Sequence, residues 1–403
     1  MEALDFLPAF PFALGELTWA GAILLAGLAC GELFRRVLSL PRISGYLLAG
    51  TLLGPGALGI LDEGMRDSAR LVLDIALGLV LFELGSRLEL AWLRKNRWLI
   101  VTSLAESALA FLLVYFALRA LSVTPLLAAM AAAIGMGTAP SVLLAVLHEQ
   151  RADGPLTEHA VNLTALNSMF SVVAVTMLLA NLHMDYAGGL YVMLLHPAYL
   201  LAGALALGIA ASAVTLLFAG WLGKREVLQF ILLVSMIFLL VGLATALRVS
   251  VLLTLLAFGI VVRNRDRGRH LMPVEFGTNA QFFIVGLFVL TGAHLEWRDV
   301  ALAGLPAVAF VAARFLGKLL GVLAFAPLSG LPPRKAALLA LLLSPMAAVA
   351  VLLVQFTSEH YPAFGVELAG IVLAGVLVMT LLGPALAQLG MVLGGESRQE
   401  GST

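Results

Sequence analysis

The residues able to do chemistry in this 403-residue chain are few, and most sit in apolar surroundings. Arg314 stands near the middle of one long apolar run, with Lys318 a helical turn further on, roughly 6 Å at 1.5 Å per residue. Glu106 lies inside a second run and Asn167-Ser168 inside a third. Thr138, Pro140 and Ser141 follow two glycines, 135 and 137, in a fourth; Ser344-Pro345 interrupts a fifth; Asp74 enters a sixth. Ionisable groups inside apolar spans are costly and mark ion paths, proton relays or internal pairing. A carboxylate there binds a proton or a cation in exchange. A lysine or arginine neutralises that carboxylate or attracts an anion. Asn, Ser and Thr oxygens coordinate an ion without titrating.

Enzyme chemistry finds no support. His148-Glu149 opens like a zinc-binding HExxH, but position 152 is Ala. Gly135-x-Gly137 runs into Pro140 where a dinucleotide loop needs glycine. Cys30 is the only cysteine, so no disulfide framework or cysteine metal site is expected within one chain. Asn162-Leu163-Thr164 matches a glycosylation pattern but falls at a buried span end. No cofactor is expected. The only metal considered is a monovalent cation at Asn167 and Ser168.

The elements that must hold these residues follow from composition. The chain is 61% hydrophobic and 12% charged, with a mean hydropathy of +1.03. Soluble domains are about 25% charged, so an integral membrane protein is indicated and a soluble enzyme excluded. Zero net charge argues against nucleic acid as a partner. A spanning helix needs about 20 mostly apolar residues. Thirteen candidates run at roughly 17–34, 42–61, 68–86, 98–120, 125–147, 160–181, 198–222, 226–246, 248–263, 278–294, 301–327, 336–355 and 366–392. Their continuous apolarity predicts helices rather than the alternating strands of a barrel. The fold class is therefore an all-α membrane protein with about 13 transmembrane helices.

Of the 24 Lys and Arg residues, 17 fall in alternate loops and 5 on the opposite side; Arg314 and Lys318 are inside a span. The positive-inside bias puts the N-terminus outside and the C-terminus in the cytoplasm, across the cell (inner or plasma) membrane. The N-terminus lacks a basic region and does not read as a cleaved signal. Loops are short, and no soluble regulatory domain is expected.

Two spans look interrupted at matched places. The fifth carries Pro140 and the twelfth Pro345, and Ala145-Val146-Leu147 aligns with Ala350-Val351-Leu352. Seven spans apart, they run in opposite directions, as an inverted repeat with broken crossing helices requires. The plainer reading is a pair of proline kinks. Glu106, Pro140, Asn167, Ser168 and the Arg314/Lys318 pair share one depth, which predicts one polar site. For Glu106 and Lys318 the plainer reading is a structural ion pair, and for Asn167 and Ser168 interhelical hydrogen bonding. Asp74 is expected at an outer entrance. Glu32, Glu83 and Arg87 are expected to snorkel to the cytoplasmic surface.

Four stretches carry a family resemblance over nearly the whole chain: LPRISGYLLAGTLLGPGALGIL (40–61), LGLVLFELGSRLEL (77–90), GTAPSVLLAVLHEQRADGPLT (137–157), and RFLGKLLG with the Pro345 span. The chain resembles the monovalent cation/proton antiporter superfamily, close to its Kef-like branch. The resemblance implies the sodium/proton antiporter-like fold and a homodimer. It also implies a scaffold and dimer part at about 1–97 and 226–294, with a mobile core at about 98–182 and 300–392 moving as an elevator. Lys318 stands at the family's basic position. The sixth span departs: family members place an aspartate where this chain has Asn167-Ser168, and some place an acid in the crossing segment where it has Ala139.

Three functions remain. The first is a proton-coupled Na+ or K+ antiporter using Glu106 as relocated acid, with Asp74 behind it. The second is an anion or small organic acid transporter using Lys318, Arg314, Asn167, Ser168 and the half-helix N-termini, because a lysine without its acid leaves a net positive site. The third is a non-transporting membrane sensor.

Overall fold

A computed structural model describes residues 16–38, 40–54, 57–60, 74–83, 85–86, 88–187, 190–266, 281–293, 297–360 and 362–397. Arg66, Arg70, Arg87, Arg267, Arg269 and Arg398 lie outside the described residues. Among the described residues every regular element is helical: α1 (Glu16–Val37), α2 (Arg42–Leu53), α3 (74–83), α4 (Leu90–Lys95), α5 (Arg97–Ala120), α6 (Pro125–Met136), α7 (Pro140–Gln150), α8 (Pro155–Ala187), α9 (Leu190–Leu222), α10 (Glu226–Ala246), α11 (Val251–Arg265), α12 (Gln281–Ala293), α13 (Trp297–Phe325), α14 (Pro333–Leu342), α15 (Ala348–His360) and α16 (Pro362–Gly394). Each expected span overlaps a described helix or broken pair, and seven described segments are long and apolar enough to cross a membrane.

The helix starts have a common local cause. α6, α7, α8, α14 and α16 each begin on proline, whose fixed φ suits the first turn and whose missing N–H has no partner there anyway. The same residue type makes the two breaks. Between α6 and α7 the chain runs extended at Gly137 (φ −66°, ψ 149°) and Ala139 (φ −74°, ψ 106°) before Pro140 restarts the helix. Residues 343–347, around Pro345, separate α14 from α15. Both prolines therefore sit at true breaks rather than kinks. The expected span at 42–61 is shorter as a helix. α2 stops at Leu53, and the amides of Leu58, Gly59 and Ile60 turn back onto the carbonyls of Leu52, Gly54 and Leu53.

Helices pack in two sets. α5 lies along α13; α6 packs on α5 and α8; α14 and α15 pack on α16, which also packs on α13. Around this set, α2 packs between α1 and α12, and α9 packs on α10 and α11. Directions follow from the contacts. Ala133 and Thr138 of the α6 stretch meet Ser171 and Ser168 of α8, so the two run antiparallel. Gly135 approaches Val114, and Lys318 joins Met136 to Glu106, so α6 also opposes α5. α5 and α8 are thus parallel.

Close approach of α5 and α13 depends on glycine. A Cβ at Gly317 would strike the backbone of Ala110, and one at Gly321 the backbone of Glu106. This is the small-xxx-small geometry that lets membrane helices touch backbone to backbone where lipid offers no hydrophobic drive. Gly321→Ala should therefore destabilise the protein by about 1–3 kcal/mol, the cost of an overpacked contact, read as a lower melting temperature in detergent. Gly220→Ala, which meets nothing within 4 Å, should not.

The segment after α16 is tied down as well. The Glu396 carboxylate accepts from the amides of Leu156 (2.9 Å) and Thr157 (2.8 Å) at the start of α8, and from Lys335 Nζ (2.6 Å) on α14. A carboxylate on a helix N-terminus satisfies orphan amides and complements the dipole. Burial raises the Glu396 pKa, but Lys335 and the two amides outweigh it and hold the carboxyl below its usual value. A lowered folded pKa stabilises above the ordinary carboxylate range, and the contribution disappears as pH falls through the lowered value. Glu396→Gln should lower the melting temperature at neutral pH, and the gap to the unaltered protein should close in acid.

Candidate functional site

The breaks bring five segments to one point. α5 contributes Glu106, α8 contributes Asn167 and Ser168, α13 contributes Arg314 and Lys318, and the two unwound stretches contribute Thr138, Ser344 and Pro345. Glu106, Asn167, Arg314, Lys318 and Ser344 are 0–1% exposed, and Thr138 and Ser168 only 2–3%.

Lys318 Nζ donates to Glu106 Oε2 at 3.0 Å, to the Met136 carbonyl at 2.8 Å and to Thr138 Oγ1 at 3.2 Å. Its three protons are thereby spent on three oxygens. The other Glu106 oxygen, Oε1, accepts from Asn167 Nδ2 at 2.8 Å and from the Ser107 hydroxyl at 3.4 Å. Asn167 also donates to Thr138 Oγ1 (2.9 Å) and accepts the Thr138 amide (3.1 Å). Thr138 is the hub: its hydroxyl donates to the Leu343 carbonyl (3.2 Å) and its own carbonyl accepts from Ser168 Oγ (3.0 Å). The Ala139 amide donates to the Pro345 carbonyl at 2.9 Å, joining the two breaks directly.

Arg314 does something different. Nε donates to the Gly135 carbonyl (2.9 Å), Nη1 to Ser344 (2.7 Å), and Nη2 to Gly137 (2.8 Å), Leu343 (3.2 Å) and Pro345 (3.4 Å). Gly135 and Gly137 end the first broken helix, and 343–345 end the second. Helix C-termini carry partial negative charge and orphan carbonyls, and one guanidinium satisfies both ends. Its planar fork of five N–H donors suits that task, where an ammonium could not.

The site residues read from the sequence divide accordingly. Thr138, Asn167, Ser168, Glu106, Lys318, Arg314, Ser344 and Pro345 meet in one network. Pro140 sets the start of α7. Ser141 follows it in the same first turn, buried at 3% exposure. Asp74 opens α3, a helix that packs through Gly78 on Ile237 of α10 and Leu255 of α11. One expectation is corrected: Lys318 is not left without an acid, because Glu106 faces it. Glu83 does not snorkel either. It is 4% exposed, with its carboxylate 3.1 Å from His148 Nε2 on α7, because the end of α7 covers it. Arg87 lies outside the described residues.

Sequence reasoning missed the backbone acceptors of the site, above all the carbonyls of Met136 and Leu343. It also missed the role of Gly317 and Gly321, although GKLLG is visible as a small-xxx-small motif.

Comparison with known proteins agrees with the fold. Two structures of the sodium proton antiporter MjNhaP1 from Methanocaldococcus jannaschii share the fold. One, at pH 8, has a TM-score of 0.70 at 18% identity and covers 94% of this chain and 99% of that one. The other, from electron microscopy, has a TM-score of 0.71 at 16% identity, covering 95% and 99%. A local match at 35% identity over 75 residues links the chain to the iron transporter MagA of Paramagnetospirillum magneticum; it spans 19% of this chain and 17% of that protein's length. The model of the transmembrane sodium/hydrogen exchanger family matches residues 21–390. The chain belongs to the sodium/hydrogen exchanger family.

Proposed function

We propose that this protein is a proton-coupled monovalent cation antiporter, exchanging Na+ or K+ for H+, with Glu106 as the exchanging carboxylate. The observation that carries this reading is the fully buried Glu106–Lys318 pair at 3.0 Å, held at the crossing of two broken helices. The Lys318 ammonium already occupies the place of a dehydrated cation: it is ringed by a carboxylate oxygen, a hydroxyl and a carbonyl at 2.8–3.2 Å. A monovalent cation entering the site takes over those oxygens as one proton leaves, either from the Lys318 ammonium or from Glu106 in its protonated form, and the reverse step returns the proton as the cation departs. Either exchange keeps the buried charge constant, which the low-dielectric interior demands.

In this reading α5–α8 and α13–α16 form the mobile core, α1–α4 and α10–α12 form the scaffold, and the core carries the site across by an elevator-like motion. The protein works as a homodimer in the inner or plasma membrane, N-terminus outside and C-terminus cytoplasmic, following the 17-to-5 bias of its basic residues. The relative MjNhaP1, named a sodium proton antiporter, supports Na+ as the first cation to try.

The anion reading asks Lys318 and Arg314 to present free donors. Every contact they make runs to a protein oxygen, so the geometry favours a cation. In proteoliposomes, Na+ or K+ should dissipate an imposed pH gradient, and Glu106→Gln should reduce this to the protein-free background. Exchange at the unaltered rate in Glu106→Gln would remove Glu106 from the role. Anion uptake that needs no cation and is lost in Lys318→Ala would favour the second reading.

Stability tests the same pair separately from transport. Removing one member strands a buried charge, at a cost of about 3–5 kcal/mol, while replacing both is close to neutral. Lys318→Met should lower the melting temperature sharply, and Glu106→Gln combined with Lys318→Met should restore most of it.

A further inference from the structure

Serine and threonine hydroxyls inside these helices have a default partner, the carbonyl four residues back. Thr51, Thr102, Thr215, Ser344 and Thr357 all use it, at 2.7–3.0 Å. Ser103 and Thr164 do not. Both side chains are fully buried at 0% exposure, and neither hydroxyl makes any hydrogen bond. Leaving such a group dry inside a protein costs about 1–3 kcal/mol, and the default bond was available to each.

Their positions are not arbitrary. Ser103 precedes Glu106 by three residues on α5, and Thr164 precedes Asn167 by three on α8. Glu106 and Asn167 touch at 2.8 Å. Because α5 and α8 are parallel, both hydroxyls lie one turn, about 4.5 Å, to the same side of that contact. This is the side on which α5 and α8 begin. On the other side, the carbonyl ends of the broken helices and the Arg314 guanidinium fill the polar space.

Two unpartnered hydroxyls beside a buried carboxylate make a site for water, which in protein interiors bonds about three otherwise unsatisfied polar groups. We propose that Ser103 and Thr164 hold buried water next to Glu106, and that this water opens the site to the side on which α5 and α8 begin. The use made of that water in exchange rests on Glu106 as the carrier; its presence does not. Water bridging Ser103, Thr164 and the carboxylate gives a proton a hydrogen-bonded route to Glu106, and it lets an arriving cation keep part of its hydration shell until the last turn. Neither residue is assigned as a direct ligand of the cation.

Accessibility tests this without relying on transport. Cys30 is the only cysteine, so a Cys30→Ser background makes single-cysteine labelling clean. Ser103→Cys and Thr164→Cys should react with a small membrane-impermeant methanethiosulfonate in vesicles of one orientation only, the one exposing the N-terminal ends of α5 and α8. Leu118→Cys, fully buried near the other end of α5, should stay unlabelled. Absence of labelling in both orientations, or labelling only from the opposite side, overturns the proposal.

A second measurement covers variants that fold poorly. In Ser103→Ala combined with Thr164→Val, loss of bridged water should lower the melting temperature and slow exchange roughly tenfold. Dry hydroxyls would give the reverse, an unchanged or raised melting temperature, and that result also overturns it. Failure of Glu106 as carrier would appear instead as exchange persisting in Glu106→Gln, with the labelling pattern unaltered.

Discussion

A helix broken at membrane depth exposes carbonyls that lipid cannot satisfy. Everything at the centre of this protein follows from how that debt of hydrogen bonds is met. Arg314 meets it for both broken helices at once, through Gly135 and Gly137 on one side and Leu343, Ser344 and Pro345 on the other. Its charge is balanced by two helix C-termini rather than by a carboxylate. That leaves Glu106 for Lys318 alone. The division of labour between two cations one turn apart, one fixing the backbone and the other facing an acid, is what makes a neutral buried pair available in the membrane.

The pair exists only because α5 and α13 come unusually close. Gly317 and Gly321 flank Lys318 and lie on Ala110 and on Glu106 itself. The packing that brings the helices together and the buried ion pair therefore occupy the same residue of α5. Asn167 completes the arrangement from α8 by bonding both Glu106 and Thr138. In the family's usual pattern an aspartate would stand in this span. Here an amide takes a place in the network as donor and acceptor, and the acid comes from a neighbouring helix.

Much of this was legible in the residues. Long apolar runs fixed the helices, prolines at 140 and 345 marked the breaks, and the shared depth of Glu106, Asn167 and Lys318 pointed to one site. What escaped reading had physical reasons. Glu83 lies near a span end, where snorkelling is the cheap solution, and only the fold shows that the end of α7 covers it with His148. The second span looked long enough to reach residue 61, but Gly54 ends α2 and the chain folds back. The idea of a lysine without its acid gave way because Glu106, read at the same depth, faces Lys318; with Arg314 the three buried side chains carry a formal charge of +1. Glu106 and Lys318 are 212 residues apart, and no spacing rule links them. Backbone acceptors carry no sequence signature at all, so half of the site's oxygens could not be named in advance.

That separation along the chain has a consequence for biogenesis. Gly135 precedes the guanidinium that satisfies it by 179 residues. A ribosome therefore delivers the first broken helix long before Arg314 exists. Until α13 arrives, the open carbonyls at Gly135 and Gly137 must keep company with water in the insertion machinery or at the bilayer surface. The first half of the inverted repeat is thus a waiting half, and the membrane core is sealed from its C-terminal side.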